Sequence, residues 1–423
     1  MLLNIKTTSR AIERFLKTDT AYLARGGAWL SVGKIIRVGA AFLLSILYAR
    51  YLYKSTYGDY RYIFSLIGLA SILTFPDIGN VIIRGVARGF AGTFRRGALI
   101  IFLGTMAMAV LGIGASFLFF YMGNLPVAYG LLTAALLVPL MEGIGSWRAY
   151  YDGTKEFRKK TGYNFVIQIL YVISMAIVVT SIYFFKIPNM YAVALLVGTY
   201  LSAQGIPNIF ILRKILKEIP KKTPVEPGAI RYGFHLSLNN IPTNIATYLD
   251  TILLYHFLGP TGVAVYSFAI AIPEQMKAFF GTIAAAGLPK ISEKTGVEEL
   301  GEVRKSLPKK ILKSSLFTGI IVLIYIAVAP IIYSVFFPRY LESTALSQIF
   351  ALSLVTFPFA FFGTALMAEG NIKKVYAYRI LTPVVQIVAF IVLIPLYGLL
   401  GAVAGRVMGR LAQHLLLYII YII

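Results

Sequence analysis

The chain has 423 residues, of which 58% are hydrophobic and 13% are charged, and its mean hydropathy is +0.77. Soluble domains average about 45–50% apolar and about 25% charged residues, so this composition excludes an ordinary soluble globular protein. The formal charge is nonetheless +23, from 40 Lys and Arg against 17 Asp and Glu. With no cysteine and only three histidines, disulfide frameworks and thiolate or histidine metal sites are excluded, and neither a cofactor nor a metal ion is expected.

The first 27 residues form a basic segment ahead of the first long apolar stretch. Lys6, Arg10, Arg14 and Lys17 interrupt any apolar core, which excludes a cleavable signal peptide. Between these cations lie apolar residues at helical spacing, so the segment is predicted to form an amphipathic helix on the membrane surface. Anionic membrane lipids, and not nucleic acid, are the partners that this basic charge predicts.

Twelve apolar stretches follow, each long enough to cross a bilayer, since a span needs about 20 apolar residues. The sequence therefore predicts an all-α, polytopic membrane protein with twelve transmembrane helices. The predicted spans are 28–52, 61–84, 97–121, 127–148, 163–186, 190–212, 232–257, 262–288, 311–336, 345–367, 374–397 and 399–423.

The basic residues alternate strongly between the connections that join these spans. Thirty of the 40 lie in the N-terminal segment and the even-numbered connections, and only five lie in the odd-numbered ones. Because cytoplasmic loops carry the excess of Lys and Arg, both termini are predicted to be cytoplasmic in a multi-pass protein of the cell membrane.

Residues 213–231 form a polar connection midway along the chain and divide the spans into two sets of six. The predicted domains are thus a segment at 1–27, an N-terminal lobe at 28–212, the cytoplasmic linker at 213–231 and a C-terminal lobe at 232–423. Weak internal similarity at an offset of 206 residues relates the stretch after the first span to the stretch after the seventh. Gln168 and Gln386 follow the fourth and tenth spans in matching order. A duplication with both halves starting on one face, and a central cleft between them, is expected.

Five cations remain inside the predicted spans: Lys34, Arg37, Lys277, Arg406 and Arg410. Arg37 lies midway along the first span, where an arginine facing lipid would cost at least about 2.5–3.5 kcal/mol, so it should face protein, water or substrate. Lys34 shares its helical face or extends to the membrane surface. Arg406 and Arg410 form a stripe whose alternative role is structural bonding to backbone carbonyls. All five are candidate substrate-binding residues of a cationic lumen.

Four acidic residues also lie inside the spans: Asp77, Glu142, Asp250 and Glu274. Glu274 lies three residues before Lys277, so mutual neutralisation is the simplest interpretation of that pair. Asp77 and Glu142 could either pair with an interior arginine or carry a coupling ion, a proton or sodium. An interior with net positive character favours an anionic substrate, because a guanidinium can bind two phosphate oxygens at once.

Three stretches resemble one family of membrane proteins. Residues 393–403 are similar to the junction of the eleventh and twelfth helices of polysaccharide-biosynthesis flippases, the O-antigen-type branch of the multidrug/oligosaccharidyl-lipid/polysaccharide (MOP) exporter superfamily. Residues 49–60, with Tyr57, Gly58 and Asp59, and residues 77–79 resemble the N-terminal pattern of the same branch. The resemblance implies two six-helix lobes that rock about a central cavity.

The function implied by this resemblance is that of a flippase. It would move a polyprenyl-phosphate- or pyrophosphate-linked oligosaccharide from the cytoplasmic to the outer leaflet by alternating access, without catalysing a reaction. The alternative is a cation-coupled small-molecule exporter of the same superfamily, with Asp77 or Glu142 carrying the ion. A membrane enzyme is disfavoured because no odd-numbered connection is longer than about ten residues.

Overall fold

The protein was analysed as a computed structural model, which describes residues 20–220, 223–292, 297–368 and 372–422. Helices account for nearly all of this part of the chain, and it contains no strand. The helical segments, numbered as spans, are α1 (Thr20–Tyr51), α2 (Lys54–Thr74 and Ile78–Ala87), α3 (Gly92–Tyr121), α4 (Leu125–Gly153), α5 (Phe157–Phe184), α6 (Asn189–Glu218), α7 (Ala229–Asn239 and 241–258), α8 (260–292), α9 (Val297–Phe336), α10 (343–368), α11 (372–397) and α12 (399–422).

The structure confirms the predicted all-α, multi-pass membrane architecture. Within the described ranges, eight continuous helices are long and apolar enough to cross a membrane, and the bent α2 makes a ninth. Two of the eight are 41 and 44 residues long, and each contains a break at a glycine with positive φ, Gly259 at +67° and Gly398 at +58°. Dividing these two helices at their breaks raises the nine spans to eleven. The helix α1 is the twelfth segment. The predicted amphipathic segment falls mostly on residues 1–19, outside the described residues, and α1 already begins at Thr20.

Proline residues bend the helices where polar side chains enter the interior. The two parts of α2 meet at an angle of 51° around Pro76, and Phe75 there has a φ of +50°. In α4 a π-helical turn begins at Pro139, and in α10 a 3₁₀ stretch at Ser353–Phe359 contains Pro358. Such irregular turns free backbone carbonyls and change which side chains face inward. The irregular stretches of α4 and α10 occupy matching places in the two halves.

The two halves form lobes whose repeat-related helices meet each other. Arg61 in α2 donates from Nε to the Ser267 hydroxyl in α8 over 3.3 Å, and these positions are separated by the 206-residue offset seen in the sequence. When repeat-related residues touch each other, they lie at the axis that relates the repeats. The α2–α8 contact is therefore where an axis that relates the two predicted repeats would pass.

The stretch between α6 and α7 joins the lobes; its described residues, 219–220 and 223–228, are non-helical, and Pro224 and Glu226 contact the N-terminal lobe. Glu226 accepts hydrogen bonds from Arg84 and Arg88 at 3.1 and 2.7 Å, and Gly92 donates its backbone N–H to the Pro224 carbonyl. We call the membrane side that carries this linker the linker face. The opposite side, where α1 joins α2 and α7 joins α8, is the distal face.

Candidate functional site

The lobes are joined along the distal half of the molecule. Lys54 Nζ lies 2.5 Å from Glu342 Oε1, at the distal ends of α2 and α10. Tyr255 of α7 donates a 2.7 Å hydrogen bond to Asp59 of α2, and its ring stacks on Tyr62 at 3.7 Å between centroids. The contacts between the lobes thus close the distal side of the cleft.

Two polar cavities lie in the linker-face half, one in each lobe. The first, of about 350 Å³, is lined by α1, α2, α3, α4, α5 and α6, and the second, of about 640 Å³, is lined mainly by α7, α8, α11 and α12. A third, apolar groove of about 910 Å³ runs over the outside of α4, α5 and α6 and is lined by no charged group.

The N-lobe cavity contains two arginines and one carboxylate. Arg37 of α1 is exposed to it and makes no hydrogen bond or ion pair with the other described residues. Arg148 of α4 donates from Nε to Asn164 Oδ1 over 3.1 Å and lies near the Gly145 carbonyl. Glu142 lines the same cavity but forms no ion pair within 4 Å in the described part of the chain. This cavity therefore holds two guanidinium groups without a bound counter-charge.

Two of these wall residues change the sequence interpretation. Arg148 is the last residue of the fourth predicted span and is counted with the basic residues of the following connection, but α4 continues through its π-helical turn to Gly153 and brings Arg148 onto the cavity wall. Gln168 lines this cavity, and Gln386 lines the other one. Their matching order in the sequence indicates duplication, and it also marks residues of the two cavities. The side chain of Lys34 lies outside the described part of the structure.

The C-lobe cavity contains more charge, and that charge is compensated within the protein. Arg410 donates to Glu274 Oε1 at 2.6 Å and to the Ser353 hydroxyl at 2.9 Å. Arg406 reaches the same Glu274 oxygen at 3.1 Å, and Lys277 lies 3.8 Å from the other carboxylate oxygen. The predicted Glu274–Lys277 pair is thus the longest of three ion pairs that share one carboxylate.

Asp250 lies behind this cluster and completes it. Its carboxylate is fully buried in α7, and Oδ2 accepts from Arg406 Nε and from the Tyr266 hydroxyl, both at 2.5 Å. Its other oxygen accepts the backbone N–H of Thr251. A buried carboxylate with this many donors is a structural partner of Arg406, and it does not reach the cavity.

Asp77 does not pair with an arginine among the described residues. It lies at the bend of α2, where Asn80 and Asn240 donate to its two oxygens at 3.0 and 2.6 Å, and no ion pair of Asp77 occurs among the described residues. Because Asn240 lies at the joint between the two parts of α7, this carboxylate joins the lobes on the linker-face side. Asp77 also lines the C-lobe cavity.

The chemistry available to the two cavities differs. Free guanidinium groups in a semi-enclosed space bind phosphate or carboxylate oxygens through charge-assisted, often bidentate hydrogen bonds. The flanking glutamine and asparagine amides add donors and acceptors that suit hydroxyl groups. In the C-lobe cavity, the cations are already bound by carboxylates, so an anion there would have to compete with them.

Comparison with known proteins identifies the whole architecture. The polysaccharide biosynthesis protein family matches residues 23–295, and no curated protein matches the chain. A multidrug resistance MATE family transporter of the MOP superfamily, in an inward-facing conformation, aligns with a TM-score of 0.65 at 15% identity, over 90% of this chain and 96% of that one. The lipid II flippase MurJ, inward closed, aligns at 0.60 and 14% identity, over 92% and 86%.

A further structural match is a MOP superfamily transporter from Pyrococcus furiosus, described as having a binding pocket of reverse polarity. Its TM-score is 0.58 at 15% identity, and the alignment covers 96% of each chain. At these identities the structural matches show a shared fold, that of the MOP transporters and flippases. The sequence match covers more than half of the chain, and with it the chain belongs to the polysaccharide biosynthesis protein family.

Proposed function

We propose that this protein is a flippase of the cell membrane that moves a polyprenyl-phosphate- or pyrophosphate-linked oligosaccharide from the cytoplasmic to the outer leaflet. One observation carries the proposal. Arg37 and Arg148 face the N-lobe cavity with no carboxylate within ion-pair distance among the described residues. These two guanidiniums share the cavity with the carboxylate of Glu142, which forms no ion pair with either of them, so the cavity keeps a net positive charge that the phosphate of a lipid-linked cargo would balance.

The rest of the cargo has a place in the same arrangement. Sugar hydroxyls would contact the amides of Asn164, Gln168 and Gln204 on the cavity walls. The larger C-lobe cavity provides room for additional sugar residues. The lipid tail would stay in the bilayer beside the cleft. No step of this cycle requires bond making or breaking, so the protein is proposed not to be an enzyme.

The orientation is part of the proposal. The alternation of basic residues supports a cytoplasmic linker face, together with two cytoplasmic termini. Closed contacts on the distal side and cavities in the linker-face half support a state that receives cargo from the cytoplasm, in which the Asp77–Asn240 contact on the linker-face side would open to admit it. A reporter fused after Asn124, in a distal connection, should report an outer location, and a cytoplasmic signal would refute this topology.

The test is a flipping assay in proteoliposomes with a fluorescent polyprenyl-pyrophosphate-linked oligosaccharide. Arg37→Ala and Arg148→Ala are each expected to reduce the flipping rate at least about tenfold, since a charge-assisted phosphate contact contributes roughly 1.5–3 kcal/mol. Arg96→Ala is the matched control, because Arg96 is exposed on the linker face and belongs to neither cavity. Wild-type rates in the Arg37→Ala/Arg148→Ala double variant would refute the proposal.

The alternative, a cation-coupled small-molecule exporter, draws on the Asp77 carboxylate, which has no cationic partner among the described residues. It predicts resistance to cationic drugs on expression, and loss of that resistance in Asp77→Asn. Flipping of the lipid-linked sugar in the reconstituted protein, without drug export, would exclude it.

A further inference from the structure

A further arginine lies between the lobes and lines neither polar cavity. In the sequence, Arg61 stands at the start of the second predicted span and counts among the five basic residues of the odd-numbered connections. In the structure α2 begins at Lys54, so Arg61 lies inside the helix, about 10 Å from its distal end. The side chain is partly buried, and its Nε donates to Ser267 of α8 over 3.3 Å. Arg61 is therefore an interior residue of the lobe contact.

The guanidinium of Arg61 has no counter-charge among the described residues. Its bond to Ser267 uses Nε alone, and its two terminal nitrogens remain accessible and form no hydrogen bond in the described part of the chain. The nearby carboxylate of Asp59 accepts its hydrogen bonds from Tyr255 and Asn189 instead. Interior cations without an acidic partner in membrane proteins mark the paths of substrates and ions.

Two tyrosines connect the surroundings of Arg61 with the N-lobe cavity. Tyr200 of α6 and Tyr248 of α7 each interact electrostatically with Arg61 and with Glu142, which lines that cavity. One tyrosine comes from each lobe, and a tyrosine hydroxyl can both donate and accept a hydrogen bond. Polar groups from both lobes thus continue from the cavity wall to Arg61.

Arg148, Arg37 and Arg61 lie at successive depths in the membrane. The helices α1 and α2 are joined at their distal ends, and Arg37 lies 14 residues before the end of α1, about 21 Å from that end. Arg61 is about 10 Å nearer to the distal face. Arg148 lies further toward the linker face, beyond the π-helical turn of α4. These three guanidiniums therefore form a series that leads from the linker face toward the distal face.

The closed distal contact restricts access to Arg61. The helices α2 and α8 pack so closely there that a Cβ atom on Gly58 would lie 1.8 Å from the Pro260 carbonyl oxygen. A phosphate group gains full access to Arg61 when these helices separate as the distal side opens. Because a ligand shifts a two-state equilibrium toward the state that it binds more tightly, an anion at Arg61 favours the distally open state.

We propose that Arg61 is a second anion-binding site of the transport path, which takes the phosphate group of the cargo from the N-lobe cavity as the distal side opens. Arg37 and Arg148 bind the phosphate first, and Arg61 compensates its charge in the second half of the cycle. This inference rests on the proposed flippase function and adds the residue that acts after the cavity.

The first experiment measures flipping rates in proteoliposomes at increasing concentrations of the fluorescent polyprenyl-pyrophosphate-linked oligosaccharide. Arg61→Gln keeps an amide that can bond to Ser267 but removes the charge. It is expected to lower the maximal rate about tenfold without changing the half-saturating concentration, because the cargo first binds at Arg37 and Arg148. Arg61→Lys restores the charge and should recover most of the rate, since lysine also binds phosphate.

Arg50→Ala is the matched control. Arg50 also joins the lobes, because it donates to the Val335 carbonyl over 3.0 Å, but it is exposed at the distal end of α1. Its loss should leave the maximal rate close to that of the wild type. An equal loss of rate in Arg50→Ala and Arg61→Gln would show that Arg61 is only a link between the lobes and would overturn the proposal. A wild-type rate in Arg61→Gln, or no recovery in Arg61→Lys, would overturn it too.

The second experiment uses inorganic pyrophosphate as the probe, without cargo. Spin labels at Tyr121→Cys and Tyr397→Cys report the distance between the lobes at the distal face by double electron–electron resonance. Pyrophosphate is expected to raise the ratio of long to short distances about tenfold in the labelled protein. The rise should persist in the Arg37→Ala/Arg148→Ala double variant and disappear in Arg61→Gln. No rise in the labelled protein, or an equal rise in Arg61→Gln, would overturn the proposal.

The two experiments separate this inference from the proposed function. If the wild type does not flip the lipid-linked sugar but pyrophosphate opens the distal side through Arg61, the proposed function fails and the anion site stands. If flipping depends on Arg37 and Arg148 but neither experiment responds to Arg61→Gln, the proposed function stands and this inference fails.

Discussion

Gly58 controls how closely the lobes approach at the distal face. It is buried in α2 against the first turn of α8, and a Cβ atom at this position would lie 1.8 Å from the Pro260 carbonyl oxygen and 2.4 Å from its carbon. An ordinary contact between an aliphatic carbon and a carbonyl oxygen is about 3.3 Å or longer, so alanine would force the helices apart by about 1.5 Å. We therefore predict that Gly58→Ala prevents full distal closure.

The magnitude follows from the nature of the clash. Backbone atoms of Pro260 cannot rotate away as a flexible side chain can, so the closed state must lose contacts along α2 and α8. Overpacking of this kind costs about 1–3 kcal/mol, which corresponds to a shift in the closed-to-open ratio of about 5-fold to about 150-fold. Since alternating access needs both states, the flipping rate should fall as well.

The assay places spin labels at Tyr121→Cys and Tyr397→Cys, two exposed distal positions of opposite lobes in a chain without native cysteine, and compares Gly58→Ala with Gly162→Ala by double electron–electron resonance. Gly162 lies in α5, and a Cβ atom added there would have no neighbouring atom within 4 Å, so alanine adds the same methyl group without a clash. The expected result is a longer distal distance in Gly58→Ala alone. Equal distance distributions in the two variants would refute the steric argument.

Three further predictions concern stability, each measured as the thermal unfolding midpoint in detergent. Asp250→Asn should lower the midpoint strongly, because removing one partner of the buried pair with Arg406 costs about 3–5 kcal/mol, and an unchanged midpoint would contradict the assigned pairing. Trp147→Phe should lower it by an amount equivalent to about 1–3 kcal/mol, since the buried Asn208 oxygen loses its 2.8 Å bond. Lys54→Ala should change it little, because an exposed ion pair contributes about 0–1 kcal/mol, and a large loss would show that this pair is more than a surface contact.

The membrane architecture could be predicted from the sequence because hydropathy and length determine spans directly. A helix in hydrocarbon must satisfy its backbone hydrogen bonds within itself, so each apolar stretch of sufficient length becomes one segment. The breaks are also visible as glycine and proline, at Gly259, Gly398 and Pro76. Hydropathy does not predict where a helix ends once its sequence becomes polar. The fourth span is predicted to end at residue 148, but α4 continues to Gly153.

The site could be predicted only in part, because ion pairing depends on which helices are neighbours. The sequence places Arg406 and Arg410 inside the spans, but their carboxylates come from α7 and α8, more than 130 residues away in the sequence. The position of Arg148 on the cavity wall is not predicted, because a cation at the end of a predicted span is indistinguishable in the sequence from a loop residue. The contact of Asp59 with Tyr255 is not predicted for a similar reason, since Asp59 lies in a stretch that hydropathy assigns to a connection.

Positions that the predicted 206-residue repeat relates to each other differ in charge between the two lobes. At the 206-residue offset, the positions in the first half that correspond to Asp250 and Glu274 are Leu44 and Gly68, so the N-terminal lobe has no acid where the C-terminal lobe has two. Those two acids bind Arg406 and Arg410 and make that cluster self-sufficient. The N-terminal lobe has ion pairs near the linker face, such as those of Arg84 and Arg88 with Glu226, but Arg37 and Arg148 form none among the described residues. This asymmetry supports the N-lobe cavity as the half that receives an anionic cargo.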